Sequence, residues 1–224
     1  MLDFYIAPSK IHETLAENIL VDGFHLAIDL SKSHGSWLYD ALEEREILDF
    51  YSYFASLPVG HNHPKLLDDK KFLESLQRAA IANPSNSDIY TSEFAAFVKN
   101  FSSIAKPPEF THLFFIAGGA LAVENALKAA FDWKARKNKL AKVAAKGEQI
   151  LHFKEAFHGR SGYTLSLTNT DPVKTRYFPK FSWPRIINPK LKFPLTNVNI
   201  KFTIEKEKEA LAAINAAFEQ YKHD

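Results

Sequence analysis

Apolar residues recur at Ile11, Leu15, Ile19 and Leu20, the spacing of one helical face, and Ser9 stands where a hydroxyl would cap that helix. The period then shortens. Residues 24–30, 36–39 and 47–53 are runs rich in β-branched and aromatic side chains, broken by SKSHG and by the charged DALEERE, which predicts a small antiparallel meander. From Pro64 onward the pattern is helical again: KLLDDKKFLESLQRAAI reads as one helix, and SEFAAFVKNFSSIA as a second that Pro107 and Pro108 end. THLFFI (111–116) is a continuous apolar run of strand length. Gly118 and Gly119 follow it, and helical spacing returns from Leu121 to about Asn138. Residues 149–153 are strand-like, 185–187 form a short third candidate, and 205–221 form a closing helix with Leu211, Ile214, Ala217, Phe218 and Tyr221 on one face. Strand, long helix and strand in this order predict an α/β fold with a parallel sheet covered by helices. The proline- and aromatic-rich stretch 171–195 has no period and reads as an ordered surface loop.

Composition narrows the function classes. The chain has 224 residues, 46% hydrophobic and 24% charged, the balance of a globular protein. A net charge of +2 gives no reason to expect a nucleic-acid or membrane partner, so a small-molecule substrate is expected. The absence of cysteine excludes disulfides, thiolate nucleophiles and Cys-ligated zinc. No basic start leading into an apolar run opens the sequence, and no stretch approaches the ~20 apolar residues of a bilayer span, so a cytoplasmic protein is expected.

Four residues carry candidate chemistry. Gly119 and Ala120, with Gly118 before them, lie between an apolar strand and a helix, where small residues let backbone N–H groups close on a phosphate. A plain tight turn asks for the same glycines. Phe157 and Arg160, in HFKEAFHGRSGYT, follow a predicted strand; Phe157 offers a flat apolar face and Arg160 a planar fork for a carboxylate, yet the residues alone favour a core phenylalanine and a surface or ion-paired arginine. His61 and His63 have too few neighbouring ligands for a zinc site, so no metal is expected. Glu124 is four residues before Lys128, the spacing of a helical ion pair. The basic and aromatic residues of 171–195 suit single-stranded nucleic acid only superficially, since the prolines break a stacking platform.

The longer strings add a resemblance. FFIAGGALAVENALKAAFDWK and the Phe157-His158-Gly159-Arg160 motif resemble class III pyridoxal-phosphate-dependent aminotransferases, most closely the lysine 6-aminotransferase family. GHNHP and PSNSDIYT are similar to that family's entry into its large domain and to a stretch near its dimer interface. The resemblance implies a fold type I transferase, of which the chain would cover the first half. Residues 1–58 would belong to the small domain and 59–224 to the first half of the mostly parallel, cofactor-binding large domain. It implies pyridoxal 5'-phosphate as cofactor, its phosphate on Gly119 and Ala120, its ring against Phe157, and a substrate carboxylate on Arg160. Relatives carry a hydroxyl residue where Ala120 stands, and commonly Glu where Ala117 stands. The implied reaction moves the ε-amino group of L-lysine to 2-oxoglutarate, in a homodimer. The family places its Schiff-base lysine downstream of Asp224, so no catalytic lysine is assigned here, and these residues alone are expected to be inactive, poorly soluble and exposed along a sheet edge. A non-catalytic cofactor-binding or dimer-forming fragment is one alternative. Half of an ornithine or 4-aminobutyrate enzyme is another.

Overall fold

A computed structural model describes residues 5–222 and 224, which form two compact units, Met1–Pro107 and Pro108–Asp224. In the first unit a 3-10 turn (Pro8–Lys10) runs into α1 (Ile11–Ala16). Ser9 lies inside that turn and caps nothing, because Pro8, with its fixed φ, begins the helical path earlier. The meander forms as β1 (Ile28–His34), β2 (Trp37–Asp40) and β3 (Arg45–Leu48), paired antiparallel in that order. Its first strand runs through most of SKSHG, with an irregularity after Asp29, so the reversal falls at Gly35 rather than across the whole motif. Its third strand ends early. Asp49 draws the chain out of the ladder by accepting the N–H groups of Tyr51 (2.8 Å) and Ser52 (2.7 Å), which starts the single turn α2 (Ser52–Ala55). The four residues of α2 all have positive φ, from 43° to 63°, a left-handed path costly for residues with a Cβ.

His61 reaches back to Asp49, Nε2 to Oδ2 at 2.9 Å with both side chains buried. That acidic partner is distant in sequence and becomes visible only in the fold. Gly35 and His61 exchange backbone hydrogen bonds of 2.8 Å, and the Asn62 amide donates to the carbonyls of Leu30 and Ser33, both at 2.7 Å. The GHNHP motif is therefore a brace that ties the following helices to the meander. The helix expected over 65–81 is two helices, α3 (Pro64–Leu67) and α4 (Lys70–Ala82). The break falls at Asp69, whose carboxylate caps the N–H of Phe72 at 3.0 Å. Thr91 likewise caps α5 (Ser92–Ile104).

The second unit begins with a departure from expectation. Residues 111–116 are irregular, although their apolar run is of strand length, and Phe114 is 73% exposed. A strand is defined by a hydrogen-bonded neighbour, and 111–116 belong to neither of the two sheets found among the described residues. Then come α6 (Gly119–Leu140), β4 (His152–Phe153), α7 (Gly162–Leu167), β5 (Arg185–Ile186) and α8 (Asn197–Gln220). β4 and β5 pair in parallel, His152 with Arg185 and Phe153 with Ile186, so the expected strand at 149–153 is realised only in its last two residues. α8 starts eight residues before the expected 205 because Thr196 caps the N–H of Asn199 at 3.3 Å. Its covered stripe centres on Thr203 and Ala210, whereas Leu211 and Phe218 are exposed. The core of this unit is Leu127 of α6, Leu167 of α7 and Trp183, joined by Val123, Phe131, Ile150 and Tyr163.

Candidate functional site

α6 begins where it does because Gly118 adopts φ 87° and ψ 149°, a conformation open almost only to glycine. No side chain caps this end and no acidic residue sits in its first turn. A Cβ built on Gly118 or Gly119 meets nothing within 4 Å, so the space in front of the helix is open. The first-turn N–H groups of a helix have no partner within it, and the dipole of a 22-residue helix adds positive potential at the same point. This end suits a phosphate. Ala120, half-buried, offers only its backbone N–H where the relatives' hydroxyl would add a second donor.

The second element of the site is the turn at 157–160. Thr168, almost fully buried, clamps it: its Oγ1 accepts the N–H of His158 at 3.0 Å and donates to the carbonyl of Gly159 at 2.6 Å. The N–H of Asn169 bonds to Ala156 at 2.8 Å. Gly159, at φ 109°, lies directly against Ala120. A Cβ there would overlap the Ala120 methyl and stand 2.8 Å from its Cα. The fold therefore brings together Gly119, Ala120 and the turn that carries Phe157 and Arg160. Phe157 is 62% exposed, and Arg160 is exposed without a hydrogen bond or ion pair to any described residue, so both side chains are available to a ligand.

Glu124 is the residue sequence reasoning misplaced. It makes no ion pair with Lys128 among the described residues. Its Oε2 accepts the Ser161 hydroxyl (3.0 Å) and the N–H groups of Tyr163 (3.0 Å) and Thr164 (3.3 Å), while Oε1 takes the Tyr163 N–H at 3.2 Å. Burial alone would raise its pKa, but the Tyr163 N–H, the Ser161 hydroxyl and the Thr164 N–H outweigh it and hold the carboxyl below the ordinary glutamate value. Thr164, fully buried, completes the start of α7 by accepting the Ser161 N–H at 3.1 Å. The signal in the sequence was Ser161-x-x-Thr164, a capping pattern before an apolar pair. A cavity of about 960 Å³ also opens along the C-terminal half of α6, lined by Phe131, Tyr163, Phe181 and Trp183 among others. It contains none of the four candidate residues.

Residues 21–224 match the family described as Aminotransferase class-III. The chain belongs to the class-III aminotransferases. The L-lysine-epsilon aminotransferase of Mycobacterium tuberculosis is 49% identical over 218 residues, covering 97% of this chain and 48% of the relative. That of Amycolatopsis lactamdurans is 50% identical over 208 residues, 93% of this chain and 46% of the relative. The solved structure of lysine aminotransferase from M. tuberculosis in the internal aldimine form superposes with a TM-score of 0.90 at 48% identity, covering 98% of this chain and 50% of that one. The chain thus spans about half the length of the relatives it matches, and within that half it has the fold of the type I pyridoxal-phosphate-dependent aminotransferases. Among the described residues no helix is long and apolar enough to cross a membrane, and no group of three His, Asp or Glu gathers in metal-holding geometry.

Proposed function

We propose that this chain contributes the phosphate seat, ring face and carboxylate clamp of an L-lysine 6-aminotransferase, which transfers the ε-amino group of L-lysine to 2-oxoglutarate and releases 2-aminoadipate 6-semialdehyde and L-glutamate. The observation that carries this reading is the contact of Gly159 with Ala120, which sets the turn bearing Phe157 and Arg160 beside the uncapped end of α6. Pyridoxal 5'-phosphate, when bound, supplies the electron sink and amino carrier of the reaction. The first-turn N–H groups at Gly119 and Ala120 hold its phosphate. Phe157 offers an apolar ring to the pyridine face. Arg160, with its guanidinium unengaged, pairs through two parallel N–H donors with the carboxylate shared by lysine and 2-oxoglutarate.

The names borne by the relatives at 49% and 50% identity support lysine as amino donor over ornithine or 4-aminobutyrate. The family resemblance supports a cytoplasmic homodimer, with residues 1–58 in the small domain and 59–224 in the large one. Binding to the purified chain tests the reading. Titration with pyridoxal phosphate should give a saturable absorbance change that inorganic phosphate competes away, and pyridoxal without its phosphate should bind far more weakly. Equal binding of both compounds, or binding of neither, overturns it.

A further inference from the structure

We propose that Glu124 is the positioning residue that fixes the 157–160 turn over the open end of α6, an inference that rests on the site reading above. Ala120, Glu124, Leu127 and Phe131 recur at the spacing of one helical stripe. Ala120 receives Gly159, Leu127 packs in the core with Leu167 and Trp183, and Phe131 meets Tyr163 edge-on with ring centroids 5.4 Å apart. Glu124 is the one charged member of this stripe, set between a contact to the turn and a contact to the core.

Its carboxylate gathers donors from three residues that follow the turn, Ser161, Tyr163 and Thr164. Gly162 between them lets the carboxylate come close, since a Cβ there would lie 2.9 Å from Oε1 and displace it. α7 has only six residues, so its own hydrogen bonds hold its start weakly, and an apolar side chain at 124 would leave the Tyr163 N–H without an acceptor. Two successive turns of α6 therefore grip the loop at two successive points, Gly159 through Ala120 and residues 161–164 through Glu124. Phe157 and Arg160 are exposed, and their placement depends on the backbone between those grips. Glu124 touches neither candidate ligand group and acts through the turn.

Glu124→Ala and Glu124→Gln in the 224-residue chain test this. In Glu124→Ala, amide hydrogen exchange over 158–164 should quicken at least tenfold while α8 keeps its protection. Affinity for pyridoxal phosphate should fall about tenfold, while inorganic phosphate, which needs only the end of α6, keeps its affinity. Glu124→Gln, which retains one acceptor oxygen, should recover part of both losses, and it decides by the same readings if the alanine variant unfolds. Unchanged exchange over 158–164 overturns the proposal, as does an equal loss of affinity for phosphate and cofactor. If the unsubstituted chain takes up no pyridoxal phosphate, the site reading fails, and the exchange measurement still decides whether Glu124 holds the turn.

Discussion

Two helix starts lie side by side in the second unit and are treated in opposite ways. α7 is only six residues long, yet its N-terminus is filled from within by Glu124, Ser161 and Thr164. α6 has 22 residues and the larger dipole, and its N-terminus has no capping side chain and open space before it. Leaving backbone donors unsatisfied at the longer helix costs stability that a capping side chain on an ordinary backbone path would recover, and the φ of 87° at position 118 excludes one. Glycine stands there instead. On the reading proposed above, the contrast is between an end closed to fix a loop and an end left open to an anion.

The comparison breaks most severely at the glycine where the two regions touch. Gly159→Ala places a methyl onto Ala120 at a positive φ, and should destabilise the unit by about 2–4 kcal/mol, read from the urea midpoint. Gly118→Ala keeps open space around the new methyl and suffers only the conformational cost, about 1–3 kcal/mol, but should also weaken phosphate binding by moving the first N–H groups. Thr164→Val removes the acceptor for the Ser161 N–H and should cost about 1–2 kcal/mol without altering the open end of α6.

The smallest effect is a pH dependence outside both helix starts. His152 is lowered below the ordinary histidine value of 6.5, first by burial and then by the nearby Arg185 and His158 charges. Its Nε2 accepts the Arg185 Nε–H at 2.9 Å, which requires the neutral ring. The unfolded chain therefore binds the proton more readily. The stabilisation is complete above about 6.5 and declines as pH falls toward the depressed folded value. Thermal midpoints at pH 7.5, 6.5 and 5.5 should fall in that order, and His152→Gln should flatten the slope. Glu124 adds a second decline at lower pH. Its folded value lies below the ordinary 4.5, so its contribution is complete above that value and is lost as pH falls through the depressed folded one.

Periodicity made the long elements legible. α5 and α6 stand within two residues of where the apolar spacing puts them, whereas the meander keeps its three-strand order with shifted bounds and the helix expected over 65–81 is split. Residues 111–116 show the limit: their composition suits a strand, but strand formation depends on a neighbour that no local pattern names. The turn at Asp69 and the early start of α8 were set by single capping side chains, Asp69 and Thr196, within stretches whose average character is helical throughout. At the candidate site the residue types of Gly119, Phe157 and Arg160 were legible. The partner of Glu124 was not, since the spacing to Lys128 offered a local ion pair and the true donors lie 37 to 40 residues away.

The proposed function requires that the open end of α6 be an anion seat. Backbone amide shifts of the isotope-labelled chain during titration with pyridoxal phosphate test it most directly. The N–H signals of Gly119, Ala120 and Leu121 should move in saturable fashion while those of Tyr163 and Thr164, already held by Glu124, stay nearly fixed. Saturable shifts confined to another part of the chain, with Gly119 and Ala120 unmoved, would contradict it.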